Sequence, residues 1–361
     1  MRIEQLTFTR FIAALTVVFF HYGSHVFPAN LPLISPVLNA GPIAVSYFYV
    51  LSGFIMAIAY HAPDTHIPLN AKRYWLARIA RIYPVYLLAL LLMIAAKFSG
   101  AGKDPWTVFL SVSMLQAWIP SYPLSLNAPG WSLSVEAFFY LFFPLLVLLT
   151  KRHHLHQLAA VTLGLWLGTQ ILHTLLLNSH AYQPFSTLHD FIYYNPLMHL
   201  NTFLLGFISG AWLQEGKWHK WRDSRLNHLG LSFTLLAIIM LLIMREPLIQ
   251  ATGIRFDYTN GLIAPLFISL IVLLALNTSR VSVVLQHRWL VLLGEASFSL
   301  YILQKPLHGI YEKLVASWLS ADSIWHFYGF IVVLVLTAIA SYWFFETPMR
   351  RFINNMVSRA R

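Results

Sequence analysis

The chain reads as an all-α integral membrane protein of about ten transmembrane helices with both termini in the cytoplasm. Three features carry that reading. Of the 361 residues, 58% are hydrophobic and only 10% are charged, against about 45–50% and about 25% in an average soluble domain. Mean hydropathy is +0.64. The apolar residues fall in continuous runs rather than in the alternation of a membrane β-barrel. This composition excludes a soluble globular enzyme, a disordered chain and a fibrous protein.

A membrane-spanning helix needs about 20 mostly apolar residues. Ten stretches qualify: roughly 6–27, 41–60, 83–99, 131–150, 157–178, 196–215, 229–245, 261–279, 290–311 and 325–345. The first resembles a signal peptide, but Arg10 and His21 interrupt it and no small-x-small cleavage site follows, so it is read as a retained helix. The stretch 106–119 is apolar but short, which favours an interfacial or re-entrant segment.

Charge tests this count. With the N-terminus inside and strict alternation, the inner side holds Arg2, Arg10, Lys72, Arg73, Arg78, Arg81, Lys151, Arg152, Lys217, Lys220, Arg222, Arg225, Arg280, Arg288, Arg350, Arg351, Arg359 and Arg361. The outer side holds only Lys97, Lys103, Arg245, Arg255, Lys305 and Lys313. That bias is the positive-inside rule, and it disappears if 106–119 crosses fully. Residues 1–352 form one membrane domain, and 353–361 form a short basic tail suited to an anionic inner leaflet. The formal net charge of +11 is thereby absorbed by topology, and no nucleic-acid partner is expected. Cysteine is absent, which removes disulfides and thiolate chemistry. The sixteen histidines show no strong metal-ligand spacing, and no metal is expected.

Ionisable residues within membrane helices cost about 2.5–3.5 kcal/mol each, so each is a functional candidate. Arg10 and His21 lie eleven residues apart. An α-helix turns 1100° over that interval, within about 20° of three full turns, so the two share a face about 16 Å apart along the axis. Arg78 and Arg81 are three apart and therefore neighbours, with forks suited to phosphate; Pro84 just beyond suits a helix start. Taken alone, this basic cluster is equally an ordinary topology signal. Glu136 falls about one and a half turns into the fourth helix, at a depth comparable to His21. A histidine beside a carboxylate can serve as a general base. Gly294, Ser297, Ser299, Ser52 and Gly53 are small residues of the kind that mediate close helix packing.

The ordered set of motifs is specific: Arg10 with His21; Ser46-Tyr-Phe-Tyr-Val-Leu-Ser52-Gly53-Phe; Arg78-Ile-Ala-Arg81-Ile-Tyr83-Pro84; Trp131-Ser132-Leu-Ser-Val-Glu136 with Phe139-Tyr140; Ser297-Phe-Ser-Leu-Tyr301; and Phe345-Glu346-Thr-Pro348. From residue 7 to about 352 the chain resembles the membrane-bound acyltransferase family 3, bacterial surface-carbohydrate O-acyltransferases with ten core helices. The resemblance implies transfer of an acyl group, usually acetyl, from cytoplasmic acetyl-CoA to a hydroxyl of a lipid-linked or exported surface glycan such as an exopolysaccharide or lipopolysaccharide. It implies residence in the bacterial inner membrane. Arg10, Arg78, Arg81 and Tyr83 would then hold the donor, His21 and Glu136 would be catalytic, and Trp131, Ser132, Tyr301 and Gln304 would contact substrate. His21, oriented by Glu136, would deprotonate the sugar hydroxyl; a covalent acyl-histidine is the alternative within the same chemistry. Two positions depart from the family pattern: Phe298 replaces a tyrosine, and Gln304 stands where a histidine is usual. Glutamine cannot titrate, so an acid–base role at 304 is not expected. A polytopic transporter or flippase without acyl chemistry is the competing reading.

Overall fold

The computed structural model describes residues 3–61, 69–96, 104–150, 155–222, 224–315, 317–320 and 323–359. Arg2, Lys97, Lys103, Lys151, Arg152, His153, His154 and Arg361 lie outside the described residues. The described residues are all-helical, with no strand among them. The helices of eight or more residues are α1 (Thr7–Val18), continued by a π-helical turn at Phe19–Gly23, α2 (Gly41–Tyr60), α3 (Ala71–Ala95), α4 (Pro105–Val112), α5 (Trp131–Leu149), α6 (Leu155–Leu177), α7 (Thr187–Tyr194), α8 (Pro196–Gln214), α9 (Ser224–Thr252), α10 (Ala264–Leu276), α11 (Arg288–Val315), α12 (Ile324–Ser341) and α13 (Thr347–Arg359).

Seven stretches are long and apolar enough to cross a membrane: Glu4–Gly23, Gly41–Tyr60, Ala71–Ala95, Ala128–Leu149, Leu155–Leu177, Arg225–Thr252 and Ile324–Met356. The three other expected segments are helical too, but fall short for identifiable reasons. Helix α8 carries His199, Asn201 and Thr202, all buried. Helix α10 has only 13 residues, about 20 Å of rise. Helix α11 carries Glu295, Lys305, Glu312 and Lys313. The stretch 106–119 contains the eight-residue α4, about 12 Å long and too short to cross. Asp104 caps it, accepting from the backbone N–H groups of Trp106 and Thr107.

The expected helix over 83–99 begins at Ala71, so Arg78, Arg81 and Tyr83 lie inside α3 and Pro84 is interior to it. The Asn70 side chain caps the start by accepting from the Arg73 N–H at 3.0 Å. The Ala, Leu, Lys and Arg residues that follow are good helix formers, and their charge does not interrupt the helix.

Helix α2 is central: 72% of its most apolar window is buried, against 22% for α6, α9 and the α12–α13 stretch. Its most extensive neighbour is α8, and glycine makes the approach possible. A Cβ on Gly206 would stand 2.0 Å from the Val50 carbonyl oxygen, and one on Gly53 would stand 2.0 Å from that of Phe203. Gly206 and Gly210 are spaced as G-x-x-x-G, the pattern that brings membrane helices into backbone contact. Helix α1 meets α11 in the same way, where a Cβ on Gly294 would lie 2.1 Å from the Thr7 oxygen.

Gly206→Ala is therefore expected to destabilise the protein by about 1–3 kcal/mol or more, as overpacking does. Gly168→Ala, whose added methyl meets nothing within 4 Å, should have no such effect. Thermal unfolding of both purified variants in detergent checks this; equal melting temperatures would contradict the close-approach account.

Candidate active site

Helices α1, α2, α3, α5 and α11 enclose a cavity of about 860 Å³, its open mouth included. Arg10 enters from α1, Ser52 and Met56 from α2, Arg78 and Arg81 from α3, Ser132, Glu136 and Tyr140 from α5, and Glu295 and Tyr301 from α11. Three guanidinium groups thus face two carboxylates. Glu295 lies within electrostatic reach of both Arg10 and Arg81, and Arg81 is also in reach of Glu136 and Glu346. Arg78 is held differently. Its guanidinium sits over the rings of Tyr74 and Tyr140, 5.9 and 5.8 Å from their centroids. One of its terminal nitrogens points at the Met56 sulfur, 3.7 Å away. Its Nε is buried with no hydrogen-bond partner among the described residues. A cavity with more cations than carboxylates and an unsatisfied guanidinium N–H suits an anionic ligand.

The carboxylate of Glu136 is positioned by local spacing. Tyr140, four residues on along α5, donates its hydroxyl to Glu136 Oε1, as i,i+4 neighbours can. Ser52 donates to the same oxygen at 3.4 Å. One turn earlier, the Ser132 hydroxyl lies 2.8 Å from that of Tyr301. The 128–130 turn and α11 therefore close one end of the cavity at Ser132 and Tyr301.

His21 lies beyond that end. The π turn seats it, and its Nδ1 is 3.1 Å from Oε1 of Gln304 on α11. It is exposed, while Gln304 is fully buried. Among the described residues no hydrogen bond joins His21 to Glu136. Tyr140 and Ser52 hold the Glu136 carboxylate on the cavity side, and the side-chain hydrogen-bond partner of His21 is Gln304. Arg10 and His21 both face α11, at Glu295 and Gln304, though the π turn changes the rotation per residue beyond the C-terminal end of α1.

Of the other expected site residues, Ser132 and Tyr301 line the cavity and Tyr83 and Trp131 do not. Tyr83 follows Arg81 by two residues, a rotation of about 200°. It points away and donates to the Val112 carbonyl at the end of α4, 3.1 Å away. Trp131 packs its ring against Tyr49, Tyr194 and His199. Conversely, Glu295 and Tyr140 reach the cavity without having been assigned a role; their signals were an intramembrane acid and the i,i+4 spacing to Glu136. A second polar cluster stands apart from the cavity. Asp257, between α9 and α10, meets His173 Nδ1 at 2.8 Å and accepts from Thr259 and Asn260. Burial opposes its ionisation, yet these hydrogen bonds outweigh burial and hold the carboxyl below its usual range. Among the described residues no group of three His, Asp or Glu side chains is placed to hold a metal ion.

Proline shapes α11 beside the site. Pro306 has no N–H for the carbonyl of Ile302, and the Asn127 amide donates to it instead at 3.1 Å. Pro144 likewise frees the Tyr140 carbonyl in α5, which accepts from the Trp75 indole N–H at 3.1 Å.

With the fold and cavity described, the chain can be placed. The model of the acyltransferase-3 family, described as an acyltransferase domain, matches residues 3–345. The chain belongs to that family, and its described residues include seven helical stretches long and apolar enough to cross a membrane. It is similar to the acyltransferase MdmB of Streptomyces mycarofaciens, 33% identical over 163 residues, 42% of this chain and 41% of that protein. It is also similar to a candidate O-acetyltransferase of Staphylococcus aureus strain COL, 23% identical over 95% of this chain and 56% of that protein. A candidate acetyltransferase of Acidianus two-tailed virus is 25% identical over 97% of this chain and 90% of its own length. The chain thus spans about half the length of the first two relatives or less. No solved structure matches it.

Removing the Asn127 amide should leave the buried Ile302 carbonyl unpaired, at a cost of about 1–3 kcal/mol. In a Pro306→Ala background the backbone N–H of residue 306 can take that carbonyl, and the cost of Asn127→Ala should fall below about 1 kcal/mol. A double-mutant cycle on unfolding midpoints measures the difference. Identical costs in both backgrounds would rule out the compensation.

Proposed function

We propose that this protein moves an acyl group, most simply acetyl, from cytoplasmic acyl-CoA to a hydroxyl of a lipid-linked or exported bacterial surface glycan, and that it resides in the inner membrane. The observation that carries the reading is the cavity: guanidinium groups from α1 and α3 outnumber its carboxylates, and the buried Arg78 Nε has no partner. Acetyl-CoA supplies phosphates for such a group, and it needs no metal. Arg10, Arg78 and Arg81 bind the nucleotide phosphates. The pantetheine arm runs along the wall formed by Ser52, Tyr140 and Glu136 toward Ser132 and Tyr301. The rise of about 16 Å that an ideal α-helix makes from residue 10 to residue 21 is comparable to the reach of that arm.

His21 then takes the proton of the acceptor hydroxyl as the sugar oxygen attacks the thioester carbonyl carbon. The carbon–sulfur bond breaks, and the departing thiolate recovers the proton from the imidazolium. The acceptor approaches from the outer side, where His21 is exposed and where Trp131 and its aromatic neighbours stand. Glu136 acts on the donor side, through the hydroxyl groups of Tyr140 and Ser52, as a site carboxylate. The bilayer is the remaining partner.

His21→Ala is expected to abolish acyl transfer at unchanged membrane insertion, read as acylated product per unit of protein. Arg78→Ala or Arg81→Ala, each losing a charge-assisted hydrogen bond of about 1.5–3 kcal/mol, should weaken coenzyme A binding roughly ten- to a hundred-fold. Titrations with unchanged affinity in both arginine variants would reduce the cluster to a topology signal.

Donor and acceptor should also act from opposite faces. In sealed right-side-out vesicles, acetyl-CoA loaded inside is expected to give product and acetyl-CoA supplied only outside to give none. Equal product from outside donor would reject this division of labour.

A further inference from the structure

We infer that Gln304 is a positioning residue that holds neutral His21 in a single tautomer, with its proton on Nδ1 and its lone pair on Nε2. This rests on the reading of His21 as the general base, and it names what prepares that base. The amide of Gln304 is fully buried. Its Nε2 lies 2.7 Å from the backbone oxygen of Tyr301, and its Oε1 lies 3.1 Å from His21 Nδ1. A side-chain amide has one end that donates and one that accepts. The Tyr301 oxygen is a helix carbonyl and can only accept, so the NH₂ end must face it. The flipped amide would set two acceptor oxygens 2.7 Å apart in a buried site, leaving Oε1 without a donor. The orientation of the amide is therefore dictated by the helix backbone, and Oε1 faces the imidazole.

From there the proton follows. An amide oxygen accepts only, so the ring nitrogen 3.1 Å away must donate. In a neutral imidazole one nitrogen donates and the other accepts, and the bond made by the first decides which. With Nδ1–H committed to Gln304, the lone pair belongs to Nε2. That is the state in which Nε2 can take a proton from a hydroxyl. A residue that cannot titrate serves here because it has no second protonation state that would reverse the bond.

The surroundings hold the amide in place. Tyr301, whose backbone carries the acceptor, is anchored through its hydroxyl to Ser132 and to the Pro129 carbonyl at 3.3 Å. Asn127 ties down the next carbonyl, that of Ile302. The π turn at Phe19–Gly23 sets His21 opposite this turn of α11.

The test is nuclear magnetic resonance of full-length protein in detergent with ¹⁵N-labelled histidine, the His21 signals being assigned by their loss in His21→Ala. The wild type is expected to show His21 with hydrogen on Nδ1 and none on Nε2 above its titration. Hydrogen on Nε2 would overturn the proposal, and this measurement needs no variant at position 304. Gln304→Leu, which removes the acceptor, should give a mixture of tautomers. Its kcat should fall about ten- to a hundred-fold, part of the roughly 10²–10⁴ that a positioned base contributes, with KM for acetyl-CoA unchanged. Gln304→Glu, which keeps an acceptor oxygen, should keep the tautomer and more of the kcat than Gln304→Leu. Wild-type kcat in Gln304→Leu, or a fall in kcat with the tautomer unaltered, would overturn the positioning role. If His21→Ala itself retains turnover, the base assignment fails, and the tautomer measurement still decides the lock independently.

Discussion

Guanidinium charge inside an apolar helical bundle is the constraint on which the arrangement of this protein turns. Each intramembrane ion costs about 2.5–3.5 kcal/mol or more unless it is paired or solvated, and Arg10, Arg78 and Arg81 all open into one cavity. Their compensation comes from other helices. Glu136 lies on α5, Glu295 on α11, and Glu346 in the turn joining α12 to α13. The helices must come close for these groups to meet, and glycine permits it. Gly294 lets α1 rest against α11 with no side chain between them, and this brings Glu295 into reach of Arg10. Gly53, next to the Ser52 that binds Glu136, lets α2 touch α8. The packing contacts and the electrostatic contacts are therefore neighbours in sequence as well as in space.

A second constraint acts on the backbone. In a membrane every freed carbonyl needs a donor from within the protein. This bundle has interior prolines at 84, 144, 247 and 306. At Pro144 and Pro306 the donor is a side chain from another segment, Trp75 and Asn127. Both repairs sit at the cavity: Trp75 binds the backbone of the very Tyr140 that holds Glu136, and Asn127 binds the turn of α11 between Tyr301 and Gln304. The irregular helix turns are thus pinned where the site needs fixed geometry. The π turn that seats His21 fits the same pattern, since such turns concentrate at functional sites.

Much of this was legible in the sequence, and the misses have physical causes. Arg10 and Glu136 stood out as ionisable residues in apolar runs, Arg78 and Arg81 as a basic cluster, and Ser132 and Tyr301 through the family motifs; all six line the cavity. The start of α3 was not legible because hydropathy marks the bilayer rather than the helix: its first turns are basic yet strongly helix-forming. Tyr83 was grouped with Arg81 by adjacency, although two residues along a helix face nearly opposite ways. The direction of His21 came from an α-helical extrapolation that the π turn alters. Its partner Gln304 is 283 residues away, and no local pattern announces such a pair. The His173–Asp257 contact, 84 residues apart, was hidden for the same reason.

These features converge on α11. It presents Gly294 and Glu295 to the N-terminal half of α1, Tyr301 to one end of the cavity, and Gln304 to His21. Gly294, Tyr301 and Gln304 are spaced by seven and three residues and lie within about 80° of one another, while Glu295 lies about 100° round from Gly294. From Glu295 to Gln304 the rise is about 14 Å. Helix α1 runs beside it in the same sense, with Thr7 and Arg10 at one end and His21 at the other. The two helices are joined at both ends, by backbone contact at Gly294 and by a hydrogen bond at Gln304. A shift of one against the other sufficient to move the arginine end would also disturb the imidazole. The spacing between the cationic end and the histidine is therefore a property of a helix pair rather than of loops, which is what the proposed delivery of a fixed-length donor to a fixed base requires.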